Sequence, residues 1–168
     1  MDWAALERLR DGFLRGDAGA HDYWRSLSDL ASYDATFAQR IGWKWDFVLQ
    51  DLARLGWTPP AGEVLDWGCG SGIAARAFLD HFGVSTVTRL RLEDRSPLAL
   101  QYAAGRARAR FPGLQVDTGT PAPAPAGPAV LLLSHVVTEL PEAALGTLQE
   151  QMACATAVLW VEPGTPAA

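Results

Sequence analysis

The sequence predicts an α/β fold in which helices wind a parallel sheet, and three observations carry the prediction. From Glu63 to Gly72 the chain reads Glu-Val-Leu-Asp-Trp-Gly-Cys-Gly-Ser-Gly, a short strand breaking into a glycine turn that opens a helix at Ile73. After it, strand-like and helix-like patterns alternate, as parallel sheets with crossover helices require. Val130 to Leu133 is an unbroken apolar run, the mark of a strand buried on both faces.

Residues 1–60 read as a helical extension ahead of a 61–168 domain. Trp3, Leu6, Leu9, Phe13 and Leu14 recur at helical spacing, and Gly16 can end that helix. Tyr23 to Phe37 is a weaker helical pattern. From Lys44 onward Trp45, Val48, Leu49, Leu52 and Leu55 share a face, with Gly56 as C-cap and Pro59-Pro60 as a stop. Five of the seven tryptophans lie in this extension and read as core. Tyr23 to Trp45 also stands as a stretch that could shape a pocket over the glycine turn.

In the second part, Ile73 to Phe82 is a helix closed by Gly83, and Val87 to Leu92 an alternating strand ending in Glu93-Asp94-Arg95-Ser96-Pro97. Ser96 and Pro97 suit the N-cap and first turn of a helix from Leu98 to Phe111. Arg106, Arg108 and Arg110 are spaced by two, so they fan across that helix and read as a solvated surface. Leu114 to Asp117 is a short strand, and Gly119 to Pro128 a stiff Pro/Ala connector. The apolar strand from Val130 ends in Ser134 and His135. Glu142 to Ala155 is a helix, and Ala157 to Val161 a fifth strand.

Composition narrows the function. At 168 residues and 49% hydrophobic the chain can bury one real core, and its formal charge of −5 disfavours a tight, nonspecific nucleic-acid binder. Cys69 and Cys154 form no CxxC spacing, so no disulfide framework or metal site is expected. No signal peptide and no apolar run of eighteen is present, which predicts a soluble, cytoplasmic protein without a membrane partner.

The glycine turn decides the ligand class. A strand, a positive-φ turn and a helix N-terminus form a nucleotide or nucleoside cradle. A P-loop would close on Gly-Lys-Ser/Thr, but Gly72 is followed by Ile73 and Ala74. The dinucleotide fingerprint is G-x-G-x-x-G, whereas this turn is G-x-G-x-G with Asp66 two residues before the first glycine. That carboxylate suits a cationic ligand better than a pyrophosphate. No Gly-x-Ser-x-Gly elbow surrounds Ser134, so a serine hydrolase is a poor reading.

The stretch closely resembles motif I of the class I S-adenosylmethionine-dependent methyltransferases. That resemblance implies a Rossmann-like sheet in strand order 3-2-1-4-5 and S-adenosylmethionine as cofactor. The connector must then cross three strand spacings, about 14 Å, and ten residues in polyproline II geometry reach roughly 30 Å. By resemblance the cofactor would be held by Asp66, Gly68, Cys69, Gly70, Ser71 and Gly72, by Asp94 and Arg95, by Asp117, and by Ser134 and His135. Asp94 fits the family's Asp-x-Ser pattern for holding the ribose diol, with Glu93 as the alternative. Asp117 matches the acid near the adenine amino group. His135 could act as a general base or simply line the cofactor, and no catalytic residue is named.

Three segments narrow the resemblance: Val64–Gly72, Ser134-His-Val-Val-Thr-Glu-Leu-Pro141, and Leu159-Trp-Val-Glu-Pro-Gly-Thr-Pro166. Together they are similar to the methyltransferase-like family associated with the small ribosomal subunit. This implies action on small-subunit ribosomal RNA or in subunit assembly. A non-catalytic assembly module and a small-molecule methyltransferase are the alternatives. Members of that family continue past this point into a cysteine- and histidine-rich region and the final strands. With those strands missing, the fifth strand is expected to be an open edge that invites self-association.

Overall fold

A computed structural model describes residues 1–15, 22–121, 127–137, 140 and 142–163. The elements run α1 (Trp3–Arg15), α2 (Leu27–Asp34), α3 (Phe37–Arg54), β1 (Gly62–Trp67), α4 (Ile73–Phe82), β2 (Val87–Glu93) and α5 (Pro97–Arg110). Then come β3 (Val116–Gly119), β4 (Val130–Ser134), α6 (Glu142–Cys154) and β5 (Ala157–Val161). The five strands form one parallel sheet in order β3-β2-β1-β4-β5.

Strand alternation sorts the core onto two faces. Val64, Leu90, Leu92, Val130 and Leu132 pack with Phe78 of α4, Ala103 and Ala107 of α5, and Trp45 and Leu49 of α3. Leu65, Trp67, Leu131 and Leu133 pack on the opposite face with Leu148 of α6. The apolar run of β4 is fully buried, as a central parallel strand must be. Alternation also turns Asp66 toward α4, away from its neighbours Leu65 and Trp67.

The N-terminal helices lie against this frame. A buried ion pair ties them down: Arg76 Nη2 of α4 meets Asp34 Oδ1 of α2 at 2.5 Å. The Tyr102 hydroxyl of α5 donates to Asp34 Oδ2 at 3.1 Å. A third small core gathers Leu9, Trp24, Leu30 and Ala99, bringing α1 and α2 onto α5.

Several boundaries depart from the sequence reading. The helix expected over Tyr23–Phe37 begins only at Leu27, because Ser26 caps it by accepting from Asp29 N. It stops at Asp34, where the Thr36 hydroxyl donates to the Ser32 carbonyl at 2.7 Å. α3 consequently starts at Phe37 rather than Lys44. β3 is Val116–Gly119 rather than Leu114–Asp117, since the chain first turns through Gly113 at φ 91°. Not all the tryptophans are core: Trp24 and Trp45 are buried, but Trp3 and Trp43 are exposed. Gly16 as a helix stop, the middle of the connector (122–126), and positions 138, 139, 141 and 164–168 lie outside the described residues. Among the described residues β5 is a sheet edge, with Trp160 half exposed, and no helix is long and apolar enough to cross a membrane.

Candidate cofactor and acceptor site

β1 ends at Trp67 and the chain turns sharply through glycines with φ of 71°, 50° and 75° at Gly68, Gly70 and Gly72. Two of these positions are closed to side chains. A Cβ on Gly68 would collide with the Val136 side chain, and one on Gly72 would lie 2.9 Å from Ala103 Cβ. Gly68→Ala should therefore cost at least about 1 kcal/mol from the left-handed backbone alone. Urea unfolding checks it, and an unchanged midpoint would contradict it. At Gly70 a Cβ would meet nothing within 4 Å. That open space faces the main chain of the turn, where a ligand can approach closely.

The turn is fixed by the end of β2. Gly68 N and Cys69 N both donate to the Glu93 carbonyl, at 2.8 and 2.9 Å. Gly70 N donates to Asp94 Oδ2 at 2.9 Å, and Ser96 N donates to Asp94 Oδ1 at 2.8 Å. Each carboxylate oxygen has two lone pairs, so Asp94 can accept two further hydrogen bonds. Burial raises its pKa, opposed by those two backbone N–H groups.

A cavity of about 800 Å³ runs along the carboxyl ends of the strands. It lies at the switch point where β1 is flanked by β2 and β4, the usual ligand crevice of such sheets. Eight of the eleven residues named from the sequence line it: Gly68, Cys69, Gly70, Ser71, Asp94, Arg95, Ser134 and His135.

Asp66, Gly72 and Asp117 do not. Gly72 sits behind the turn against α5. Asp117 lies upstream of the end of β3, opposite Arg91, because β3 begins later than expected. Its carboxylate accepts from Gln115 Nε2 at 3.0 Å and lies 3.5 Å from Arg89 Nη1. Asp66 is completely buried and accepts from Ala75 N at the start of α4, at 3.1 Å. It orders the helix that carries the cradle and does not line the cavity.

Burial pushes the Asp66 pKa up to about 7, with the Ala75 N–H opposing. From pH 4 to 7 the folded chain then holds a proton that the unfolded chain has lost, so stability falls as pH rises, and levels off above 7. His135 acts in the opposite sense between pH 4 and 6.5. The wild type minus Asp66→Asn difference isolates the carboxylate. Asp66→Asn should gain on the wild type on going from pH 5 to pH 8, by on the order of a few kcal/mol. Parallel pH profiles of the two proteins would refute it.

At the end of β4, Ser134 Oγ accepts from Trp45 Nε1 at 2.9 Å. His135 has φ 53°, among the described residues the only non-glycine in the left-handed region, and its N–H donates to Val161 O at 2.9 Å. Its Nε2 lies 3.2 Å from Lys44 Nζ. Burial first, and Lys44 second, lower its pKa to about 4. The ring is therefore neutral at pH 7, with Nε2 accepting from the ammonium and Nδ1 carrying the proton. A His so engaged lines the cavity more readily than it accepts a substrate proton.

The opposite wall comes from the N-terminal region: Phe13, Asp22, Tyr23, Trp24, Tyr33, Phe37, and Arg40, Ile41 and Lys44 of α3. Tyr23 and Trp24 rings lie 4.7 Å apart, Trp24 and Tyr33 5.1 Å, making a continuous aromatic surface. Ser96 Oγ donates to Asp22 Oδ2 at 2.8 Å, pinning this wall to the start of α5. The sequence points to Tyr23–Trp45 only as a stretch, without singling out Arg40 or Lys44 within it as site residues, and Asp22 lies just outside it. The legible signal was Phe37, Arg40, Ile41 and Lys44 at helical spacing, a face that carries two cations.

No sequence family matches the chain, and no curated protein does. Solved structures do match. A SAM-dependent methyltransferase from Aquifex aeolicus is similar over 86% of this chain and 80% of that one, at 17% identity and TM-score 0.57. A candidate RNA methyltransferase from Pyrococcus horikoshii is similar over 73% of this chain, at 13% identity and TM-score 0.54. A candidate S-adenosyl-L-methionine-dependent methyltransferase from Methanococcus maripaludis is similar over 77%, at 16% identity and TM-score 0.54. This chain spans 61% and 59% of the length of the last two. At such identities the likeness is one of fold, and the fold is the Rossmann-like sheet these methyltransferases share.

Proposed function

We propose that the chain is an S-adenosylmethionine-dependent methyltransferase, or the cofactor-binding part of one. The observation that carries this is Asp94, set across the glycine turn with two hydrogen-bonding positions still to fill. A ribose diol supplies two donors, and the open space at Gly70 lets the sugar approach the main chain. The cofactor, when bound, supplies a methyl group activated on a sulfonium. This chain's residues bind and align it: Gly68 to Ser71 under the amino-acid end, Asp94 on the diol, Ser134 and His135 beyond. Alignment supplies much of the rate of an in-line displacement, and an acceptor that is already nucleophilic needs no base.

For the acceptor, the segments that resemble the small-subunit family support ribosomal RNA or the assembling subunit. A specific observation favours a second reading, a small acceptor. Arg106 lies 3.6 Å from Asp34, Arg108 donates to Val116 O at 2.7 Å, and Arg110 Nε meets Asp80 at 2.6 Å. Those three cations are already engaged and offer phosphates less than their charge suggests. The exposed Trp160 on β5 supports self-association through that edge, which light scattering at rising concentration tests.

Incubation with radiolabelled cofactor and small subunits decides among these. Label in ribosomal RNA supports the first reading. Co-sedimentation without label supports an assembly module. Neither, together with cofactor binding, supports a small acceptor.

A further inference from the structure

We propose that Arg40 and Lys44 form an oxyanion-binding subsite at the β4 end of the cavity, opposite the acidic end formed by Asp22 and Asp94. The proposal rests on the reading of this cavity as a cofactor site and deepens it. The two cations stand one turn apart on α3, on the face shared with Phe37 and Ile41, and both line the cavity. Among the described residues neither meets a carboxylate: the Lys44 ammonium contacts only the His135 ring, and Arg40 makes no ion pair. Arg8, Arg76 and Arg110 by contrast each meet a carboxylate, of Asp29, Asp34 and Asp80. Lys44 is half-buried beside an apolar wall and meets only an uncharged ring among the described residues, so an arriving anion would offset the cost of holding its charge there; Arg40 is exposed and lines the same cavity one turn earlier.

The geometry matches a ligand of defined polarity. Asp94 closes β2 and His135 follows β4, with β1 between them, so the two ends lie about 10 Å apart. Asp94 and Asp22 take hydroxyl or N–H donors, with Arg95 beside them. Lys44 and Arg40 take a carboxylate or phosphate. His135 keeps the Lys44 ammonium aimed inward without neutralising it, since an uncharged ring accepts one hydrogen bond and leaves the ammonium two. The oxyanion has two possible sources, the cofactor's own α-carboxylate or an anionic group on the methyl acceptor.

The test uses the full chain and three probes: S-adenosylhomocysteine, 5′-methylthioadenosine (which lacks the amino-acid end) and inorganic phosphate. If the carboxylate belongs to the cofactor, Lys44→Met should weaken S-adenosylhomocysteine roughly ten- to 150-fold by calorimetry. Methylthioadenosine should bind as before, Arg40→Gln should act in the same direction, and Lys44→Arg should recover most of the loss. If the anion belongs to the acceptor, both nucleosides bind Lys44→Met unchanged. Phosphate then binds the wild type saturated with S-adenosylhomocysteine, seen as broadening of its phosphorus resonance, and this binding is lost in Lys44→Met. Either pattern supports the subsite. The proposal is overturned if all three probes bind wild type and Lys44→Met alike, or if both nucleosides weaken equally, which would make Lys44 structural. Should the wild type bind neither nucleoside, the cofactor reading fails by itself. Phosphate binding that depends on Lys44 would still uphold an oxyanion site, and its absence from wild type would remove it.

Discussion

Asp34→Ala should destabilise the chain by about 3–5 kcal/mol and loosen the glycine turn with it. Asp34 and Arg76 are both buried, and their pair is a junction of three helices. Arg76 Nη1 also donates to the Ser71 carbonyl at 2.5 Å, so the same guanidinium braces the turn that lines the cavity. Removing the carboxylate leaves a buried cation without its counter-charge and the Tyr102 hydroxyl without its acceptor. The expected result is a large fall in the urea midpoint, with weaker nucleoside binding even where the variant is still folded. Asp34→Leu combined with Arg76→Met should cost much less than the single change, because no buried charge is then stranded. A double variant as unstable as Asp34→Ala would mean that packing at this junction, not the charge, sets the cost.

Asp94→Asn should weaken S-adenosylhomocysteine roughly ten- to 150-fold, the value of one charge-assisted hydrogen bond of about 1.5–3 kcal/mol. The change has two parts. The ribose loses an ionised acceptor, and one of the two backbone N–H groups, Gly70 or Ser96, faces an amide NH₂ in place of an oxygen. Glu93→Gln is the control. Its side chain is buried beside Arg91 Nε at 3.4 Å and does not line the cavity. It should change stability and leave nucleoside affinity alone. The reverse pattern, loss from Glu93→Gln and none from Asp94→Asn, would move the ribose contact one residue upstream.

What the sequence made legible follows from how local each signal is. The glycine turn, the acid at the end of β2 and the buried run of β4 each announce themselves within ten residues, and the structure brings the turn, the acid and the Ser134-His135 end of that run to one cavity. Asp66 stays out of the cavity lining for a physical reason. Its place beside the turn is visible in sequence, but strand alternation sends its side chain under α4, where it caps a helix. Asp117 was displaced because Gly113 delays β3, and a short strand gives little periodicity to fix its register. Lys44, Arg40 and Asp22 reach the site through the docking of α2 and α3. That docking depends on Asp34–Arg76, a contact across 42 positions that no local pattern reveals.

Whether this cavity takes a nucleoside with an amino-acid tail is tested most directly by calorimetry of the wild-type chain. S-adenosylhomocysteine or S-adenosylmethionine should bind with a measurable, saturable heat, and NAD should not compete at comparable concentration, since its pyrophosphate has no P-loop or G-x-G-x-x-G turn to hold it. Tight NAD binding with no heat from either S-adenosyl ligand would contradict the account.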